Sequence, residues 1–541
     1  MKNFYLLILA LCLPVIPLAS QDVFIDTTFS EDGRNRIEFS DLDDRCIDML
    51  LQSDGKIIMI GNTERDEMFN DIDFALARVL PNGALDPSFG DGGRVITDFK
   101  ESANESYKGV IQPDGKIIVI GTADTGTGSL DNDLAIVRYL ENGQIDESYG
   151  DGGFVYTDVE GKSDLAYDLF IQSDGKIVVT GLAGRDARTD PDEVIVRYNT
   201  NGTVDEFFGE DGYIINDLQN NNPNYGLAVL EQTDGKLMVA GAVNSGAQGF
   251  YNFYVRRYNT DGTIDLSFNQ IGYDIVDFFG QSDMPTDMIL QPDGKILICG
   301  YTTVDLAAGD FDYGLLRYNA DGTLDNTFGS NGKLNIALSP GFDWPRELIL
   351  QEDGKILVGG YSEVETNIVR MLVLRLNTDG TIDDSFGDNG KMINEVEPPD
   401  PMMSSWDLAS SMLLQADGKI IMGGSTKTNL PTEYDFNIVR FITDLVVGTL
   451  EFDQYHTQAL VYPNPIVQEF TMEYDLDTEE ELSIALYSLS GKFVQSFVQQ
   501  EKRGVGHHQE TFLMDAGLAA GHYFLVLDNG VGRVQIKVFK P

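Results

Sequence analysis

Leu51-Gln52-Ser53-Asp54-Gly55-Lys56-Ile57-Ile58-Met59-Ile60-Gly61 is the stretch from which the fold can be read, because its pattern returns along the chain. Its glutamine recurs as Gln112, Gln172, Gln232, Gln291, Gln351 and Gln415, at successive intervals of 60, 60, 60, 59, 60 and 64 residues. Each copy continues with x-Asp-Gly-Lys and a short apolar run. A fixed period of this kind signals a repeat architecture. Within one copy an apolar run ends at Gln, an Asp-Gly pair accepts the positive φ of a tight turn, and a second β-rich run opens with Lys. That is a β-hairpin. Arg78, Arg138, Arg197, Arg257, Arg317, Arg375 and Arg440 close a third apolar run in each unit. In six units an Asn-Gly or Asp-Gly turn follows, from Asn82-Gly83 to Asp379-Gly380, and then an element like Leu85-Asp86-Pro87-Ser88-Phe89-Gly90. A run such as Arg94 to Phe99 supplies a fourth strand. Four short strands per unit, seven times, predict an all-β, seven-bladed β-propeller.

The ends of the array predict a closed ring. After Arg440 the Leu-Asp-x-Ser-Phe-Gly element is missing, yet an unpartnered copy beginning at Asp26 stands before the first hairpin. The strand near Arg36 to Phe39 is therefore expected to complete the last blade, leaving no frayed sheet edge. The propeller then spans 22–444.

Other features bound the chain's location. Residues 1–20 carry Lys2, an apolar run from Phe4 to about Leu18, and Ala19-Ser20 before Gln21, the pattern of a Sec signal peptide. The run is too short to span a bilayer, and Leu11 before Cys12 does not suit a lipoprotein signal. Cys46 and Cys299 fall in different blades and on different strands of the unit, so both are expected as buried thiols. A formal net charge of −50 disfavours nucleic acid and anionic membranes as partners. Residues 461–541 hold six Lys/Arg against eleven Asp/Glu, so nearly all of the excess lies in the repeats.

The Asp-Gly-Lys and Asn/Asp-Gly turns are nearly uniform, whereas the connection between second and third strands and the one into the first strand vary in length and composition. In a four-stranded meander alternate connections emerge on one face. The variable pair thus shares a face, and loops that differ on a constant scaffold are where binding resides. Asp71-x-Asp73, Asp131-x-Asp133, Asp190-x-Asp192 and Asp310-x-Asp312 end the variable second connection. Paired carboxylates are minimal material for Ca²⁺, and turn chemistry or edge protection is the structural alternative. Phe69, Phe250, Tyr251, Tyr301, Tyr361 and Tyr434 near these loops could stack on sugars or simply pack. The repeated lysines read as solvated turn residues, and the phenylalanines of the Ser-Phe-Gly element as wedges between blades. The arginines are expected to pair either with strand-four acids such as Asp98 and Asp158 or with Asp86 and its equivalents. His456, His507, His508 and His522 all lie beyond the propeller, so no blade supplies a Ser-His-Asp triad, a Cys-His pair or a histidine metal ligand. Carboxylate pairs remain for glycoside chemistry, and no Gly-rich phosphate loop is present.

After Asp444 the period stops. A linker over 445–460 leads to Tyr462-Pro463-Asn464-Pro465 and then to short alternating runs with Gly turns, which predict a small immunoglobulin-like β-sandwich. Tyr-Pro-Asn-Pro, Leu489-Ser490-Gly491-Lys492, Gly521-His522-Tyr523 and a final strand bearing Lys537 together resemble the type A C-terminal sorting domain of the type IX secretion system. The resemblance implies a Bacteroidota-like source, Sec export, outer-membrane translocation by the type IX machinery, and removal of the domain by a sortase-like peptidase. The repeats are similar to the delta-60 repeat family, with local departures such as Asn269 in place of the glycine after Phe268. That resemblance implies a propeller and no defined activity. The expectation is a monomeric, secreted or cell-surface binding propeller for a polysaccharide or protein, with no cofactor beyond possible calcium. A carboxylate-dependent glycan hydrolase or lyase, and a structural surface protein, are the alternatives.

Overall fold

The computed structural model describes residues 24–442 and 459–540, apart from 31, 67–70, 100–102, 125–131, 160, 162, 185–190, 219–221, 246–248, 307–308, 340, 395–404, 429–432, 463–465, 467, 477, 489–492, 516, 519–520 and 530–532. The expected signal peptide, most of the linker, Asp131, Asp190, Phe69, Pro463, Asn464, Pro465 and Gly491 lie outside the described residues. The chain divides into two compact units, one of which is 24–444.

That unit is a ring of seven four-stranded antiparallel blades. The first consists of Asp44–Leu51, Ile57–Asp66, Asp71–Val79 and Arg94–Thr97 in that order across the sheet. Second and third strands are buried on both faces, as Ile57 to Ile60 and Phe74 to Val79 are. They are therefore continuous apolar runs, not alternating ones. The core lies between blades: Ile58, Phe74 and Phe89 of blade 1 pack with Ile117, Val119 and Tyr139 of blade 2. The first strand of every blade packs against the first strands of both neighbours, so these strands form the inner wall. Blades 6 and 7 are further joined by a short parallel pairing of Ile368 and Val369 with Ser405 and Trp406.

Closure occurs as the sequence predicts. Arg34–Ile37 pairs antiparallel with Asp435–Phe441, from Arg34 opposite Val439 to Ile37 opposite Phe436, and becomes the fourth strand of blade 7.

One repeated lock explains the uniform turns. Arg78 Nε donates to Asp86 Oδ2 at 2.8 Å, its Nη2 to Ser88 Oγ at 3.0 Å and its Nη1 to the Glu141 carbonyl of the next blade at 2.5 Å. Its guanidinium lies 4.7 Å from the Phe89 ring centroid. All seven arginines pair with the aspartate of this element; none takes the strand-four acid that was the other expectation. The turn lysines are less solvated than expected, because six of them reach the same aspartate, as Lys176 reaches Asp205 at 2.9 Å. Lys295 instead pairs with Asp293. Burial would raise the Asp86 pKa, but hydrogen bonds from Ser88 and the nearby Arg78 and Lys56 hold it down at about 2. The turn glycine has a second duty: a Cβ on Gly143 (φ +86°) would stand 2.9 Å from the Phe89 ring of the preceding blade. Asn269 adopts φ 45°, the left-handed conformation that its glycine equivalents take and that asparagine tolerates better than most residues.

The C-terminal unit pairs Ala459–Tyr462, Glu469–Leu476 and Gly506–Leu513 in one sheet and Phe493–Arg503, Glu480–Ser488, Gly521–Asp528 and Arg533–Lys540 in another. Phe470, Tyr474, Leu482, Ile484, Leu525 and Val538 form its core. Its first strand begins at Ala459, two residues inside the expected linker. Gly506–Leu513 was not anticipated, because GHHQETFL has no apolar alternation to mark it. Tyr462 is 42% exposed and donates to Glu473, Tyr523 is buried, and Lys537 and Gly521 lie in the two last strands.

Candidate functional site

The second-to-third and fourth-to-first connections meet the ring at the beginnings of the first and third strands. Along each first strand, buried residues alternate with half-exposed ones. The exposed and half-exposed side chains on this innermost strand belong to two columns of the repeat. One contains Glu105, Tyr225 and Trp344; the other contains Tyr107, Tyr167 and Arg346. They differ from blade to blade, unlike the residues of the lock.

Aromatic rings gather here over blades 4 to 7. Tyr301 lies 4.2 Å from Trp344 and 5.5 Å from Phe311, and Trp344 stacks on Tyr361 at 6.3 Å with an interplanar angle of 11°. Tyr225 and Tyr251 are 5.4 Å apart and share a hydrogen bond of 2.8 Å between their hydroxyls. Phe342 contacts Tyr361 and Trp406, each at 6.2 Å. The Trp344 Nε1 is buried with no hydrogen-bond partner. Across blades 2 and 3, Tyr107 and Tyr167 meet edge to face at 5.4 Å, and the Tyr107 hydroxyl donates to Glu105 Oε2 at 2.7 Å. Tyr251, Tyr301 and Tyr361 are among the aromatics expected near the binding loops, and Tyr434 lies under Arg45 at 4.7 Å. Trp344, Tyr225, Tyr107 and Tyr167 were missed. Their signal was available as aromatic identities within columns that are otherwise mixed.

One step further along the same strands lies a ring of polar groups. Every first strand shifts register at the same place, before Asp48, Lys108, Asp168, Ala228, Asp287, Glu347 and Ser411. A bulge re-aims the residue it carries. The carboxylates thereby accept backbone N–H groups from the next blade: Gly109 to Asp48 at 3.0 Å, Val229 to Asp168 at 2.7 Å, Leu348 to Asp287 at 2.7 Å and Met412 to Glu347 at 2.5 Å. Lys108 Nζ sits 3.1 Å from Asp48 Oδ1 as the ring's cation. Burial, opposed by Lys108, pushes Asp168 and Glu347 up to about 7.

The Asp-x-Asp residues occupy the outer rim of this face. Asp71 faces Asp66 and Asp73 faces Thr63 across the hairpin; burial, with Asp98 and Asp71 close by, pushes Asp73 up to about 7. Asp310 faces Asp305 and Asp312 faces Thr302. Burial raises Asp312 as well. Asp133 stands differently. It meets Asp158, after the fourth strand of its own blade, and Asp164, which opens the first strand of blade 3, with ligand oxygens all within 4.8 Å of one another. This convergence of three strands is invisible in a two-residue motif. On the opposite face a shallow cavity of about 630 Å³ lies among Gln291, Lys295, Gln351 and Asp379 of the uniform turns and the lock arginine Arg317. No helix among the described residues is long and apolar enough to cross a membrane.

Residues 52–89, 112–149, 172–208, 232–268, 291–328, 351–386 and 415–447 match a domain of unknown function, DUF5122, described as a β-propeller. Residues 460–540 match a secretion system C-terminal sorting domain. No curated protein matches the chain. Solved structures similar to it include the polysaccharide lyase Uly1, at 12% identity and TM-score 0.44 over 79% of this chain and 98% of the lyase. A PL25 ulvan lyase matches at 12% identity and TM-score 0.47 over 76% and 96%. The α-L-arabinofuranosidase Arb93A from Fusarium graminearum matches at 12% and 0.39 over 62% and 92%.

Proposed function

The chain carries seven repeats of the DUF5122 β-propeller family and a type IX secretion sorting domain, which makes it a secreted protein of the cell surface or exterior, and from that premise we propose that its propeller is a non-catalytic binding module. The ligand docks on the face of the variable connections, and a polysaccharide fits best. The observation that carries this reading is the aromatic group of Tyr225, Tyr251, Tyr301, Phe311, Trp344 and Tyr361 over blades 4 to 6, half-buried apart from the buried Tyr301. Aromatic side chains present an apolar face with a polar tip, which suits a ligand that is apolar on its ring faces and hydroxylated at its edges.

The test uses the full chain against soluble and insoluble polysaccharides, scoring retention and released sugar separately. Retention without release, lost in W344A and Y301A with circular dichroism unchanged, is the expected result. Released product would overturn the non-catalytic reading and direct attention to Glu105 and Tyr107, the hydrogen-bonded acid and phenol on the same wall. Absence of both signals would replace the polysaccharide with a protein partner.

A further inference from the structure

At the rim of each seam between blades, three positions converge: the start of the third strand, the residue after the fourth strand, and the first residue of the next blade's first strand. Between blades 2 and 3 these are Asp133, Asp158 and Asp164. We infer that this seam binds one divalent cation of the calcium type, held by these three carboxylates; the inference stands independently of the polysaccharide reading.

Asp133, opposite Ala123, corresponds to Arg370, opposite Ser362, and to Asp435, opposite Thr426. In the seam between blades 6 and 7, Arg370 pairs with Asp407, the counterpart of Asp164, at 3.5 Å, both side chains buried. In the seam that closes the ring, Asp435 pairs with Arg36. Arg36 faces Asn437 across its pair of strands, and the corresponding residue facing Ala135 in blade 2 is Tyr156. Two acidic seams thus contain a guanidinium, and the seam between blades 2 and 3 has an aspartate and a tyrosine at those two places. In blades 2 and 4 the first-strand position is occupied by Asn104 and Asn224, which carry no charge at all.

A second observation points the same way. Asp164 is fully buried; its Oδ2 accepts the Val159 N–H at 2.6 Å, while its Oδ1 has no hydrogen-bond partner. The Gly184 N–H is spent on the Ser163 carbonyl at 2.9 Å. Asp158 is partly anchored, its Oδ1 accepting the Gly161 N–H at 2.6 Å. A buried acceptor without a donor is costly, and a cation satisfies it. The donor set is all oxygen, which selects a hard ion, and three carboxylates leave room for the waters or carbonyls that complete six to eight ligands around Ca²⁺.

The experiment is calcium titration calorimetry on the full chain after chelator dialysis, with thermal unfolding in parallel. One Ca²⁺ per chain, with a Kd on the order of 10⁻⁴–10⁻³ M as in extracellular modules, is expected. D164N should weaken binding at least about tenfold, as removal of one charged ligand from such a site does, and abolish the calcium-dependent rise in Tm. Because asparagine is native at this position in the adjacent blades, D164N should unfold in chelator at no lower a temperature than the parent. D98N, at the seam between blades 1 and 2, should bind as the parent does. No calcium response at about 10 mM, well above that Kd range, would overturn the site. So would a D164N variant that binds as tightly as the parent, or equal loss in D98N.

Discussion

Arg440 donates from Nε to Asp26 at 2.9 Å across a sequence separation of 414 residues. Its Nη1 reaches the Pro81 carbonyl of blade 1 at 2.7 Å and its Nη2 the Thr28 hydroxyl at 3.3 Å. The lock used inside every other blade is here assembled from the two ends of the propeller. Phe29 completes it, 4.6 Å beneath the guanidinium.

D26A should therefore act on closure. It strands a buried guanidinium, and breaking a pair of this kind costs about 3–5 kcal/mol. Urea unfolding should show a lower midpoint, and limited proteolysis should cut between Phe24 and Ile37. D205A removes the equivalent carboxylate within blade 3 and should lower the midpoint without exposing that segment.

The polar ring of the inner wall predicts a pH dependence. Asp168 and Glu347 hold their protons up to about 7 in the folded ring, because burial outweighs the attraction of Lys108. The unfolded chain releases these protons near pH 4, so stability falls as pH rises between about 4 and 7. Asp86 has the opposite sign: its pKa of about 2 gives stability above pH 4 that is lost only as pH drops towards 2. Tm should be higher at pH 5 than at pH 8, and D168N or E347Q should flatten that slope.

Lys108 is the cation that lets this ring ionise. K108M keeps the apolar stem and removes the charge 3.1 Å from Asp48, a side chain only 2% exposed. The loss at pH 8 should fall below the roughly 3–5 kcal/mol of a fully buried pair, since the lysine is partly exposed. At pH 5 it should shrink, because protonated neighbours need no counter-charge. Equal destabilisation at both values would mean that packing, not charge, is what the lysine supplies.

Glu193 is buried between blades 3 and 4, where it accepts from the Tyr254 and Tyr258 hydroxyls, each at 2.6 Å. E193L should cost about 2–4 kcal/mol by orphaning two phenols, and E193Q clearly less. Chemical denaturation of the three proteins gives the order directly.

Cys46 and Cys299 are both fully buried, and burial raises both thiols far above their ordinary range. Neither should react with a thiol reagent in the native state, and both should react after unfolding. Labelling of the folded protein would place one of them on an accessible surface.

Periodicity made the ring legible, because a residue that recurs at a fixed interval must occupy the same place in every blade. The closing strand was legible for the same reason: Asp26 lies as far from Gln52 as Asp86 does from Gln112. The inner wall was not. Asp48, Lys108, Asp168 and Glu347 share one place in the repeat but not one chemistry, and the bulge that turns them inward leaves no mark in an alternating pattern. Nor could Asp133 be joined with Asp158 and Asp164 from spacing, since the three come from two blades and meet only when the sheets pack. The strand Gly506–Leu513 failed for a different reason: its burial alternates, but two of the three half-buried residues, His508, Glu510 and Phe512, are polar, so no hydrophobic period marks it.

The pairing of Arg34–Ile37 with Asp435–Phe441 also sets an order of events. The first strand to be made is the last to be used. Until Arg440 has been synthesised, the chain is an arc in which Arg34–Ile37 lacks its partner strand and the apolar faces that blades 1 and 7 turn to each other in the ring are uncovered. A single step, the meeting of the chain's beginning with its end, both gives Asp435–Phe441 its outer partner and covers these two faces.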